Sequence, residues 1–108
     1  FGSAISFYAS KPMIVARKPG KLPGELIQQD YDLEYGKNSL SIQKESIKKY
    51  KSYAIVDDLL ATGGTVDCVA KLIKNNGKDI SGVLTVVELS KLAGKSRFDF
   101  PVETILSI

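Results

Sequence analysis

The stretch from Tyr53 to Leu89 constrains this chain most, because it carries two different periodicities in one order. Tyr53 to Val56 is a short apolar run of strand length. Val66, Val69, Ala70 and Ile73 then recur at i, i+3, i+4 and i+7, one face of a helix. Asn75-Asn76-Gly77 closes that helix, and Gly82 to Leu89 is β-rich again. Strand, helix, strand at this spacing is a parallel βαβ unit, so the fold class is α/β. Val102 to Ile108 offers a last strand.

The upstream half reads differently. Ala4 to Ala9 is expected to be the last turns of a helix, with Pro12 after its stop. Met13 to Ala16 is an apolar run of strand length. Arg17-Lys18-Pro19-Gly20-Lys21-Leu22-Pro23-Gly24 follows as a cationic, Pro/Gly-rich loop suited to motion. Ile27 to Tyr35 and Ser39 to Ile42 are candidate strands, and Gly36-Lys37-Asn38 between them reads as a hairpin turn. Leu40 and Ile42 alternate with Ser39 and Ser41, as in a half-exposed strand. Lys44, Lys48, Lys49 and Lys51 surround Ile47 and Tyr50, which fits a solvated connecting turn better than a basic binding patch. The opening Phe1-Gly2-Ser3-Ala4 has neither methionine nor capping signal, and is expected to start inside an element of a longer chain.

Composition narrows the function. A length of 108 residues suits one domain with a modest core, and no repeat or linker divides it. The net charge of +3 fits a small anionic substrate and is too weak to argue nucleic acid or membrane. No apolar run is long enough to span a bilayer. The single cysteine, Cys68, cannot form an internal disulfide and points to a reducing compartment, the cytoplasm. With no histidine, zinc is disfavoured and acid–base work falls to Asp, Glu, Lys or Tyr. Cys68, beside the apolar helix face, reads as a core or near-surface thiol and not as a nucleophile. Gly94-Lys95-Ser96 imitates the end of a nucleotide-binding P-loop, but position 89, where the first glycine belongs, holds Leu89.

The chemistry concentrates in "VDDLLATGGT", Val56 to Thr65. It leaves a strand at its carboxyl end, where open α/β sheets bind ligands, and enters a helix near Thr65. Helix-start amides lack intrahelical partners and sit at the positive end of the dipole. Gly63 and Gly64 let the backbone curl round an anion, and Thr62 and Thr65 add hydroxyls, so Ala61 to Thr65 is a credible phosphate cradle. Asp57 and Asp58, one step earlier, can accept hydrogen bonds from paired ribose hydroxyls and help hold a hydrated cation. The same residues also fit a helix-capping turn followed by a plain loop.

This stretch resembles the phosphoribosyl-pyrophosphate (PRPP) signature of type I phosphoribosyltransferases, and Leu59-Leu60 is the form seen in adenine phosphoribosyltransferases. "ARKPGKLPG" (Ala16 to Gly24), "YDLEYGKNSLSIQK" (Tyr31 to Lys44) and "TVVELSKLAGKSRF" agree in the right order, so the resemblance runs through essentially the whole chain. It implies a parallel sheet flanked by helices with a flexible lid hairpin. It also implies one partial core domain over residues 1–108, truncated at the N-terminus, with the hood and first strand absent. The implied reaction joins adenine and PRPP to give AMP and pyrophosphate. Mg²⁺ would be held mainly by PRPP and water, with no direct protein ligand, in a cytoplasmic homodimer.

Residue by residue, the resemblance gives Ala61, Thr62, Gly63, Gly64 and Thr65 the 5′-phosphate. Asp57 and Asp58 face the ribose, with Asp58 counted as catalytic, and Leu59 lies on the purine face. Arg17, Lys18 and Lys21 match cations that meet pyrophosphate or belong to the closing loop. Glu34 matches a proton donor to the purine, with Tyr35 beside it. Taken without the family, Glu34 reads as a solvated strand charge and the loop cations equally as solubilising. The alternative function is a PRPP-binding regulatory module of the same fold without catalysis. Such a module need not keep Glu34, Tyr35 and the cationic loop. A 6-oxopurine substrate is disfavoured by Leu59-Leu60.

Overall fold

The computed structural model describes residues 2–18, 20–33 and 36–108, with nothing said of the side chains of residues 32–37. Helix α1 (Gly2–Ala9) precedes an antiparallel hairpin of β1 (Leu26–Leu33) and β2 (Gly36–Gln43). A 3₁₀ turn at Lys44–Lys48 leads to β3 (Ser52–Leu60), α2 (Gly64–Asn75), β4 (Asp79–Glu88) and β5 (Val102–Ser107). The sheet β3-β4-β5 is three-stranded and parallel throughout, so the βαβ unit expected from the periodicities is present.

Register explains the core. Ile55 pairs with Val83, which pairs with Val102, so three buried β-branched side chains form one row across the sheet. Val66, Ala70 and Ile73 of α2 pack on that row. The helix also touches the hairpin: the Cys68 thiol donates to the Gln29 carbonyl at 3.2 Å, and Asn75 Nδ2 donates to Gln29 Oε1 at 3.2 Å. The layer order is therefore sheet, helix, hairpin. Both helices end on a left-handed residue. After α2, Gly77 (φ 76°) donates to the Lys74 carbonyl at 3.0 Å and Lys78 to the Ile73 carbonyl at 3.2 Å. After α1, Ser10 (φ 54°) donates to Phe7 at 3.3 Å and Lys11 to Ser6 at 3.0 Å.

Several local expectations shift. The β1–β2 ladder runs from Leu26↔Gln43 to Leu33↔Gly36, which draws Gly36-Lys37-Asn38 into the strand instead of a turn. The register that buries Leu40 and Ile42 decides this, since a one-residue slip would turn both outward. Nor is β2 half-exposed there, because Ser41 is 0% exposed. Arg17 covers it, exchanging backbone bonds of 3.0 and 2.7 Å and accepting from Ser41 Oγ at 3.0 Å. Met13 to Ala16 forms no regular strand, and among the described residues of this segment only Arg17, just after it, finds a bridge partner. The strand β3 continues beyond Val56 through both aspartates to Leu60. The lysines of the 44–51 connection are exposed around buried Ile47, as a solvated turn requires. No helix among the described residues is long and apolar enough to cross a membrane.

Candidate functional site

The carboxyl end of β3 and the start of α2 enclose a cavity of about 430 Å³. Gly63 stands before the helix with φ 89° and ψ 6°, a left-handed conformation that side chains resist. The first bond into the helix runs from the Asp67 amide to the Gly63 carbonyl at 2.8 Å. The amides of Gly64, Thr65 and Val66 therefore precede the intrahelical ladder and face the loop end of the dipole. Ala61 to Thr65 all line the cavity, together with Asp57 and Leu59 from β3. A strand end, a left-handed glycine and a helix start thus bring unpaired helix-start amides to the cavity, an arrangement with the chemistry to receive an anion.

The two aspartates part company. Asp57 is half-buried and lines the cavity, whereas Asp58 is exposed and is not among the lining residues. Alternation puts Asp57 and Leu59 on one side of the strand and Asp58 on the other, and Leu60 at the strand's end lines the cavity as well. Asp57 Oδ1 accepts from the Asp58 amide at 2.8 Å, which fixes its rotamer. Leu59 is 47% exposed, an apolar surface open to a flat ligand. Arg17 is held on β2 by Ser41, and exposed Lys18 and Lys21 face each other across a turn, Lys21 N–H to Lys18 carbonyl, 3.3 Å. None of these three cations lines the cavity. Glu34 and Tyr35 lie outside the described residues.

Other residues enter the site from far along the chain. Asp30 and Tyr31 of β1 line the cavity, as do Asp67 and Lys71 of α2 and Arg97. Arg97 Nη2 meets Asp67 Oδ2 at 3.0 Å, Lys71 Nζ meets the same oxygen at 3.1 Å, and Arg97 Nη1 donates to the Thr62 carbonyl at 3.4 Å. Gly94 makes this approach possible: a Cβ there would collide with the Ala61 carbonyl oxygen and sit 3.0 Å from the Thr62 carbonyl carbon. The Gly94-Lys95-Ser96 turn is thus a seat for the 61–65 loop. Asp67 in the first helical turn was the one local signal of this cluster, since acids there complement the dipole. Among the described residues no group of three His, Cys, Asp or Glu side chains could hold a metal ion. Burial pushes the Cys68 thiol up, with the Asp67 and Asp30 carboxylates adding to the effect. A thiol held neutral in this way is a packing group.

This strand–glycine-loop–helix site on a parallel sheet, flanked by a hairpin, has the architecture of the phosphoribosyltransferase core. The match is to adenine phosphoribosyltransferases in particular. The enzyme structure from Thermoanaerobacter pseudethanolicus superposes with a TM-score of 0.93 at 36% identity, over 100% of this chain and 63% of that one. The Saccharomyces cerevisiae enzyme, solved with adenine and an imino-altritol bisphosphate, gives 0.90 at 34% identity, over 97% of this chain and 60% of that one. In sequence, the adenine phosphoribosyltransferase of Prochlorococcus marinus subsp. pastoris is 70% identical over 106 residues, 98% of this chain and 62% of the relative. No family model matches the chain. The resemblance to adenine phosphoribosyltransferases extends through the whole chain, and the chain spans about 62% of the length of that relative.

Proposed function

We propose that this chain is the phosphoribosyl-binding core of an adenine phosphoribosyltransferase, which joins adenine to PRPP and releases pyrophosphate and AMP, a purine-salvage reaction. The observation that carries this reading is the cavity in which the Gly63 loop and the α2 start meet Asp57 and Leu59. The relatives' names and the adenine bound by the yeast enzyme support the choice of base.

In this reading Ala61 to Thr65 hold the 5′-phosphate through backbone amides and the two threonine hydroxyls. Asp57 accepts from the ribose hydroxyls inside the cavity, and Asp58 does so from the exposed side of the strand end. Leu59 lies against the purine. Loss of pyrophosphate from C1′ builds positive charge on the ribose and negative charge on the leaving group. Arg17, Lys18 and Lys21 serve the latter when the loop closes over it. Glu34, with Tyr35 beside it, exchanges a proton with a purine nitrogen. Mg²⁺ would be held mainly by PRPP and water, with the Asp57 and Asp58 carboxylates helping to hold the hydrated cation. The charge neutralisation that a bound Mg²⁺ would supply falls on the departing pyrophosphate. We infer a cytoplasmic homodimer from the same resemblance. It is supported by Phe7 and Tyr8 of α1, 89% and 92% exposed, rings that a second subunit would cover.

The test uses the full-length protein. AMP formation from adenine and PRPP is followed with Mg²⁺, and AMP is titrated while the Gly63 and Gly64 amides are observed by NMR. Turnover with adenine and perturbed glycine amides are expected. Perturbed amides with no turnover would indicate a regulatory binder, and silent amides would remove the cradle.

A further inference from the structure

We propose that Arg97 is a positioning residue that inverts the charge at the rim of the phosphate loop, neutralising Asp67 so that an anion can bind at the start of α2. The inference rests on the functional reading above and adds a residue from outside the signature.

Asp67 lies in the first turn of α2 and lines the same cavity as Gly63, Gly64 and Thr65. An acid there suits the helix dipole when the helix end is empty. It opposes a phosphate at that end, because like charges a few ångströms apart repel strongly where water is partly excluded. Its side chain is only 21% exposed, so solvent screens it incompletely. Two cations converge on Asp67 Oδ2, Arg97 at 3.0 Å and Lys71 at 3.1 Å. Two cations and one carboxylate leave the cluster net positive.

Arg97 does more than Lys71. Its guanidinium also donates to the Thr62 carbonyl at 3.4 Å, so one planar group ties the loop to the first helical turn. The approach is built in: Gly94, buried and bare, lets the 94–97 turn rest on Ala61 and Thr62. A Cβ on Gly63 would stand 3.3 Å from Arg97 Cδ and 3.1 Å from Phe98 Cζ, so the left-handed glycine also makes room for this clamp.

The experiment compares full-length variants by calorimetric titration with AMP and by steady-state kinetics in PRPP. Arg97→Gln is expected to weaken AMP binding and raise the KM for PRPP about tenfold, with kcat within about twofold. Adding Asp67→Asn to Arg97→Gln is expected to restore most of the affinity, since the repelling charge goes with the clamp. Arg97→Lys is expected to fall between. Unchanged affinity in Arg97→Gln overturns the proposal. So does a double variant that fails to recover, which would make Arg97 a direct phosphate ligand or a purely structural tie. If Arg97→Gln does not fold by circular dichroism, Asp67→Asn alone decides. It should bind AMP at least as tightly as the parent, and weaker binding overturns the proposal. A parent protein that binds no AMP overturns the functional reading itself, and the clamp's role falls with it.

Discussion

At the scale of single residues, the glycines of the signature have separate jobs. A Cβ on Gly63 would crowd Phe98, Arg97 and the Gly94 carbonyl, while one on Gly64 would meet only Thr62 Oγ1 at 3.8 Å and Arg97 at 4.0 Å. Gly63 is thus required by its φ of 89° and by the turn beneath it. Gly63→Ala should lower stability by about 1–3 kcal/mol, the cost of holding a side chain in a left-handed well, and weaken AMP binding in parallel. Thermal melting with AMP titration checks both, and a fully stable variant would refute the packing argument. Cys68 gives a pH prediction. Its thiol is pushed up by burial, so the unfolded chain ionises first as pH rises. Its contribution to stability is complete below the thiol's unfolded pKa and is lost as pH climbs toward the higher folded value. Urea midpoints should therefore fall at alkaline pH by a larger margin in the parent than in Cys68→Ala.

At the scale of elements, α2 carries both the fold and the cradle. Its inner face holds the Ile55, Val83 and Val102 row, and its first turn presents the amides. Its far end is closed by Gly77, whose added Cβ would meet nothing within 4 Å despite a φ of 76°. Gly77→Ala should accordingly cost about 1 kcal/mol, a purely conformational penalty, and leave AMP affinity alone. Denaturant unfolding and titration of one preparation separate this from Gly63→Ala, where both quantities move. The hairpin plays a different part. Its register buries Leu40 and Ile42 and brings Asp30 and Tyr31 to the cavity wall, so the strand bearing the site's second wall is fixed by core packing.

At the scale of the whole molecule, β3 is an edge strand among the described residues, and beside it lies a groove of about 1250 Å³. Met13, Ile14 and Val15 line that groove with α1 and β3. Leu84 and Ile105 are 37% and 74% exposed on the strands, although parallel sheets are normally covered on both faces. Residues 1–108 expressed alone should therefore self-associate. Sedimentation over a range of protein concentrations tests this. A protein that stays monomeric throughout would contradict it.

What the sequence by itself determined is local. Two periodicities placed β3, α2 and β4, and the turn between strand and helix was legible because Asp57 to Thr65 are contiguous: strand end, glycines and helix start are all encoded within one short stretch. The helix stop at Gly77 was legible for the same reason. Tertiary structure decided what joins that stretch from a distance. Arg97 reaches Thr62 and Asp67 across 35 and 30 residues, and no periodicity records such a contact. The extension of β3 past Val56 put Asp57 in the cavity and Asp58 outside it, which a pair of adjacent acids cannot announce. The turn foreseen at Gly36-Lys37-Asn38 became ladder because burying Leu40 and Ile42 outweighed local turn preference. Met13 to Ala16 is strand-like in composition, yet a strand is a paired object, and only Arg17 met a partner. Propensity acts over a few residues, whereas pairing and charge neutralisation depend on which segments the core brings together.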